Sequence, residues 1–97
     1  MKEIYYIECK SFYYAENSVH YQSADLGSAP ILVSTFKKAV LRMEKMRETY
    51  LNLFGYNLEK NYTAEEIGVG NCYDRFSLVH PVSGIKTIVS LYKVWID

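Results

Sequence analysis

The sequence has no surplus of charge of either sign. Eleven Lys and Arg residues balance eleven Asp and Glu residues, so the formal net charge is zero. Proteins that bind nucleic acid without sequence preference need excess cations that displace counterions from the phosphates. The balance therefore argues against general nucleic-acid binding, and it does little to discourage self-association.

Residues that carry metal or nucleophilic chemistry are scarce, since the chain has two Cys and two His. Cys72 and His80 fall on one predicted strand about 26 Å apart, too far to share a zinc ion. Cys9 and His20 are out of register in a predicted hairpin. No G-x-S-x-G stretch is present, and neither His has an evident Ser or Cys partner. We therefore expect no metal, no cofactor and no enzymatic activity.

Long apolar runs are also missing, so no segment is predicted to span a membrane. The first eight residues, MKEIYYIE, carry acidic side chains where a secretion signal would be apolar. We expect a cytoplasmic protein with no membrane partner, in which both cysteines stay reduced.

The order of predicted elements indicates one α+β domain over residues 1–97. Apolar residues at three- and four-residue steps predict a long helix, capped at Ser34 or Thr35 and ended at Gly55. Strands are predicted over residues 2–14, 19–25, 70–80 and 85–96. This ββαββ order predicts a two-layer sandwich, a four-stranded antiparallel sheet with the helix on one face. The order of strands in the sheet stays open.

Both hairpins have a predicted register. A four-residue loop PVSG places His80 opposite Ile85, so that paired positions sum to 165. In the first hairpin, a turn over residues 15–18 places Tyr14 opposite Val19. These registers assign Cys72 and Asp74 to the helix side of the sheet.

Two groups of polar residues raise further hypotheses. Arg47 falls within the apolar stripe of the helix, where a buried ion pair with Asp74 would satisfy it. At the start of the helix, free backbone N–H groups together with two lysines form a candidate anion site. Its residues are Ser34, Thr35, Lys37 and Lys38.

Tyrosine is the residue that the chain has in abundance, with ten copies. The stretch IYYIECKSFYY has large side chains at odd and even positions, whereas a strand with one buried face would alternate. The predicted registers collect a second apolar set on the face away from the helix. We expect a partner to bind these residues, which are Tyr6, Phe12, Tyr14, Tyr21, Tyr73, Ile88, Tyr92 and Val94.

The functional prediction is a small non-enzymatic protein-interaction module. An uncovered aromatic face favours a homodimer across a two-fold axis. Two alternatives stay open. One is an inhibitor, encoded by a phage or mobile element, that binds and blocks a host defence protein. The other is single-stranded nucleic-acid binding through the aromatic face, although the usual RNA-recognition motif is absent and that face has few cations.

Overall fold

A computed structural model describes residues 2–14, 21–24, 30–68 and 70–96. Within these ranges the chain forms six strands and two helices, and all strand pairs are antiparallel. In chain order the elements are β1 Lys2–Tyr14, β2 Tyr21–Ala24, β3 Ile31–Val33, α1 Phe36–Asn52, β4 Asn57–Asn61, α2 Ala64–Ile67, β5 Cys72–Val79 and β6 Lys86–Ile96. The prediction of a small α+β fold with one main helix is confirmed.

The sheet is built around the pairing of its first and last strands. β1 and β6 pair from Lys2 opposite Ile96 to Phe12 opposite Lys86. Five strands follow the order β2-β1-β6-β5-β4, and β3 lies along the same edge of β1 as β2. The predicted four strands were therefore too few. β3 has three residues, too short to show alternation, and β4 has the largely polar sequence NLEKN with all five residues exposed.

The predicted register of the last hairpin is confirmed over most of its length. Phe76 lies opposite Val89, and the sum of 165 holds from Asp74 to Val79. A bulge at Tyr73 then shifts the pairing, so that Cys72 lies opposite Tyr92. Because one extra residue reverses the alternation, Cys72 faces away from α1 and its assignment to the helix side was wrong.

The first hairpin differs from its predicted register by two residues. Tyr14 lies opposite Tyr21 and not opposite Val19. An even shift preserves the alternation, so the assignment of β1 side chains to the two faces is unaffected. The predicted turn over residues 15–18 lies outside the described residues.

Both helices begin at side-chain caps. Thr35 caps α1 by accepting the backbone N–H of Lys38 at 3.2 Å. Beyond α1, Gly55 takes a φ of 76°, a left-handed conformation that favours glycine. Thr63 and Glu66 form a capping box at the start of α2. Neither helix in the described ranges is long and apolar enough to cross a membrane.

The hydrophobic core lies between α1 and one face of the sheet. Ala39 and Met43 of α1 are buried against strand residues of the same alternation. These buried strand residues are Tyr5, Ile7, Phe76, Leu78, Val89 and Leu91. Two polar side chains in this layer pair with each other, because Ser11 Oγ and Thr87 Oγ1 are 2.9 Å apart. Their hydrogen bond offsets the cost of burying both hydroxyls.

Cys9 and Tyr50 connect the sheet to α1 at the border of this core. Their Sγ and hydroxyl atoms are 3.4 Å apart. Burial raises the pKa of the Cys9 thiol and also raises the pKa of Tyr50. Cys9 is therefore held as a neutral packing residue, which is not the environment of a nucleophilic thiolate.

Replacement of Phe76 tests the position of the core. Its ring is fully buried, so we expect Phe76→Ala to lower the free energy of unfolding by about 3–5 kcal/mol. Phe54→Ala is the matched control because Phe54 is 51% exposed, and we expect it to cost less than about 1 kcal/mol. Urea unfolding measures both, and equal losses would contradict the assignment.

Candidate binding surface on the open sheet face

Cross-strand pairing arranges the side chains opposite α1 in rows. We call this side of the sheet the open face. Leu32, Tyr6, Tyr92 and Cys72 form one row across β3, β1, β6 and β5. On one side of this row lie the pairs Ile4–Val94 and Lys2–Ile96. On the other side lie the pairs Glu8–Ser90 and Lys10–Ile88, which bring charged residues to the face. The open face therefore has two chemically different halves.

The apolar half consists of Ile4, Tyr6, Leu32, Tyr92, Val94 and Ile96, with the exposed Lys2 at its outer end. The rings of Tyr6 and Tyr92 are stacked, with centroids 4.9 Å apart and planes 17° apart. Leu32 is 67% exposed, Ile96 is 44% exposed, and the other four are half-buried. A stacked aromatic pair surrounded by partly exposed aliphatic side chains is typical of a protein contact surface.

The charged half continues along the same strands with ion pairs. Lys10 Nζ lies 3.5 Å from Glu8 Oε1, and Lys86 Nζ lies 2.8 Å from Glu59 Oε1. Glu59 reaches this face from β4, next to the bulge between Leu58 and Lys60. Ser77 Oγ donates to the same Glu59 oxygen at 2.9 Å. The hydrogen bond from Lys86 outweighs the effect of burial and lowers the pKa of Glu59.

A groove of about 190 Å³ lies in the charged half, with the Arg75 guanidinium in its wall. Arg75 Nε donates to Ser90 Oγ at 2.9 Å, and Nη2 donates to the Tyr92 hydroxyl at 3.2 Å and to Cys72 Sγ at 3.7 Å. The ring of Tyr62 lies 5.8 Å from Arg75 Cζ. Burial acts to lower the pKa of Arg75, but the hydrogen bond to Tyr92 and nearby groups raise it on balance. The guanidinium is thus fixed in one orientation and stays charged.

Most of the predicted partner-binding residues lie on the open face. Tyr6, Tyr92 and Val94 belong to the apolar half, while Phe12 and Ile88 line the groove. The side chains of Tyr14 and Tyr21 lie outside the described part of the structure, although their backbones pair. Leu32 and Tyr62 were not predicted, because neither falls within a predicted strand. The run Ile-Leu-Val at residues 31–33 is the signal that indicates a strand at Leu32.

Tyr73 was predicted on the open face, and this placement was wrong. The bulge turns its ring to the helix side, where it lies 6.4 Å from the ring of Phe36 in an edge-on arrangement. Lys93 Nζ is 5.8 Å from the Tyr73 ring and 4.6 Å from the Trp95 ring. Tyr73 therefore belongs to a partly exposed aromatic group beside the start of α1.

The expected ion pair between Arg47 and Asp74 is not among the ion pairs of the described residues. The Arg47 guanidinium lies over the ring of Phe76 instead, with 4.6 Å from Cζ to the centroid. Its Nε is buried without a hydrogen-bond partner. Asp74 Oδ1 accepts the backbone N–H of Arg75. A cation–π contact thus takes the place of the predicted carboxylate.

The candidate anion site at the start of α1 is exposed in all four of its residues, Ser34, Thr35, Lys37 and Lys38. The cap formed by Thr35 already occupies the backbone N–H of Lys38. A cap of this kind explains the Ser-Thr pair without any bound anion.

The histidine and cysteine side chains of the described residues have structural partners. His80 Nδ1 accepts the backbone N–H groups of Val82 and Ser83, at 3.2 and 3.1 Å, and so closes the last hairpin. His20 lies outside the described residues. No group of three or more His, Cys, Asp or Glu residues in the described ranges is arranged to hold a metal ion.

The lowered pKa of Glu59 predicts a pH dependence of stability. Ionised Glu59 stabilises the folded state above its unfolded pKa of about 4.3, and this contribution is lost as the pH falls through the lowered folded value. Because the side chain is about a third exposed, we expect ~0.5 kcal/mol or less. Urea unfolding at pH 7 and pH 3 should show a smaller acid-induced loss for Glu59→Gln than for the wild type. Glu48→Gln, an exposed helix residue, is the control, and an identical loss in all three proteins would contradict the assignment.

Comparisons with protein-family models, with curated proteins and with solved structures gave no match for this chain. The apolar half of the open face and the groove beside Arg75 are therefore the features from which we infer a function.

Proposed function

We propose that the protein is a non-enzymatic interaction module that forms a homodimer. In this dimer the apolar half of the open face packs against the same surface of a second copy. The observation that carries the proposal is the continuity of six partly exposed apolar side chains, from Leu32 through the stacked Tyr6 and Tyr92 to Ile96. α1 packs on the other side of the sheet and so leaves these side chains to a partner.

A second copy suits this surface for electrostatic and geometric reasons. A two-fold interface brings one patch against itself, so six uncharged side chains meet no like charge, and Lys2 lies only at the outer end of the patch. None of the six residues of the apolar half is ionised at neutral pH, and the whole chain has no net charge. Two sheets stacked face to face, about 10 Å apart, can interdigitate such side chains.

The size of the patch predicts a weak dimer. At ~3.4 Å per residue and ~4.8 Å between strands, the six residues of the apolar half cover roughly 200 Å² of sheet. Two such patches bury less than the roughly 1,200 Å² in total at which stable interfaces begin. We therefore expect a dissociation constant of ~10–1,000 µM. Because only the apolar halves overlap, the charged half of each copy extends beyond the contact.

Other occupants of the open face have less support from its charges. Three of its lysines have carboxylate partners, in the pairs Lys10–Glu8, Lys86–Glu59 and Lys60–Glu66. Paired lysines are poor ligands for the phosphates of single-stranded nucleic acid. An inhibitor of a host protein would use the same apolar half, with the other protein in place of the second copy. In either protein-binding role we place the chain in the cytoplasm, where Cys9 and Cys72 stay reduced.

A pair of Leu→Glu variants tests the dimer. We expect Leu32→Glu to raise the dissociation constant of the dimer at least ~tenfold, because it places a charge within an apolar contact. Leu53→Glu is the matched control, since Leu53 is 74% exposed at the end of α1 and Leu32 is 67% exposed. Sedimentation equilibrium over a concentration series measures both constants.

Two results would contradict the proposal. A wild-type chain that stays monomeric at millimolar concentration would show that the protein does not self-associate. Equal weakening by Leu32→Glu and Leu53→Glu would assign the contact to some other surface. Circular dichroism of both variants verifies that the folded state is retained.

A further inference from the structure

Arg75 differs from Lys10, Lys60 and Lys86 of the open face in having no carboxylate partner within the described ranges. Among the described residues, Lys10, Lys60 and Lys86 each pair with a glutamate, and no ion pair includes Arg75. The Arg75 hydrogen bonds use its Nε and Nη2 atoms. Of the five N–H groups of a guanidinium, the two on Nη1 have no acceptor in this part of the chain. One unpaired positive charge therefore lies in the wall of the groove.

The neighbours of Arg75 fix the orientation of its guanidinium before any ligand binds. Ser90 and Tyr92 fix two of its nitrogens, and the Tyr62 ring lies beside the guanidinium plane. An arginine that is already oriented loses little side-chain entropy when it binds an anion. Phe12 and Tyr62 add apolar wall to the same groove. Charge and apolar contact are thus available together.

The dimensions of the groove limit the ligand. Its volume of about 190 Å³ is below the ~300–1,000 Å³ of sites that enclose a drug-sized molecule. One amino-acid side chain of a neighbouring polypeptide matches this size. The groove is also open to solvent, so that a side chain of a neighbouring polypeptide can reach it.

We propose that this groove binds the carboxylate of a single aspartate or glutamate side chain from a protein partner, with Arg75 Nη1 as the donor. The site adjoins the dimer contact, with which it shares Tyr92, but Arg75 itself lies opposite Ser90 in the next row. The methylene groups of the ligand side chain lie against Phe12 and Tyr62. Binding of one carboxylate neutralises the one unpaired cation.

A carboxylate fits this groove better than a phosphate. Glu8 lines the same groove, and its partner Lys10 compensates its charge at 3.5 Å. A phosphate with two negative charges would exceed the single positive charge left over and would lie close to Glu8. A carboxylate carries one charge and a flat pair of acceptor oxygens suited to a guanidinium.

Nuclear magnetic resonance of the full-length labelled chain tests the site directly, through the Arg75 Nε–H signal. The probes are N-acetylglutamate N-methylamide and its glutamine counterpart, which differ only in the carboxylate. We expect the glutamate probe to shift the Arg75 signal saturably at millimolar concentration, with a shift at least ~tenfold larger than that of the glutamine probe. Because the wild-type chain is measured, the result does not depend on a variant folding.

Two variants and a second anion complete the experiment. Arg75→Gln should abolish the shift of neighbouring signals, whereas Arg42→Gln, with the same change of charge on the exposed side of α1, should leave it intact. Three outcomes would overturn the proposal: no saturable shift at Arg75, an equal shift of the Arg42 Nε–H signal, or tighter binding of inorganic phosphate than of the glutamate probe. The first two would exclude a specific site, and the third would assign the groove to phosphate.

Discussion

The antiparallel pairing of β1 with β6 is the interaction on which the rest of the structure depends. It joins the two ends of the chain over eleven consecutive positions, from Lys2 opposite Ile96 to Phe12 opposite Lys86. A shift of one residue would move every side chain of a strand to the other face. The buried set on one face opposes such a shift, because it would transfer either Ile7 of β1 or Val89 and Leu91 of β6 to the open face. The core beneath α1 therefore also fixes the rows of the open face.

Polar and charged side chains are stabilised differently on the two faces of the sheet. On the helix side, Ser11 and Thr87 pair with each other, and Arg47 lies over the Phe76 ring. On the open side, glutamates compensate lysines, while Arg75 is fixed by neutral hydrogen-bond acceptors. Neutral partners orient a guanidinium without cancelling its charge. The same sheet thus produces an apolar contact surface and an oriented cation on adjacent rows.

Sequence patterns predicted the parts of this fold that follow from local periodicity. The helix, its Thr35 cap and the register around Phe76 and Val89 all depend on residues close in sequence or joined by a short loop. β3 and β4 were missed because their edge positions impose little alternation on three and five residues. The strand order could not be predicted, since the β1–β6 pairing joins residues at opposite ends of the chain. On the open face, the alternation of apolar and polar residues predicted Tyr6, Tyr92 and Val94. Leu32 could not be predicted, because its place on this face depends on β3.

The bulge at Tyr73 explains why a groove exists where alternation predicted a continuous aromatic surface. If the register that holds from Asp74 to Val79 continued without a bulge, Tyr73 would lie opposite Tyr92. A third tyrosine would then stand in the row of Tyr6 and Tyr92, beside the Arg75 guanidinium. The bulge replaces it with the smaller Cys72, whose Sγ lies 3.7 Å from Arg75 Nη2. Bulges commonly redirect side chains in this way near binding sites. One inserted residue therefore removes a ring from the open face and leaves the space in which the arginine is accessible.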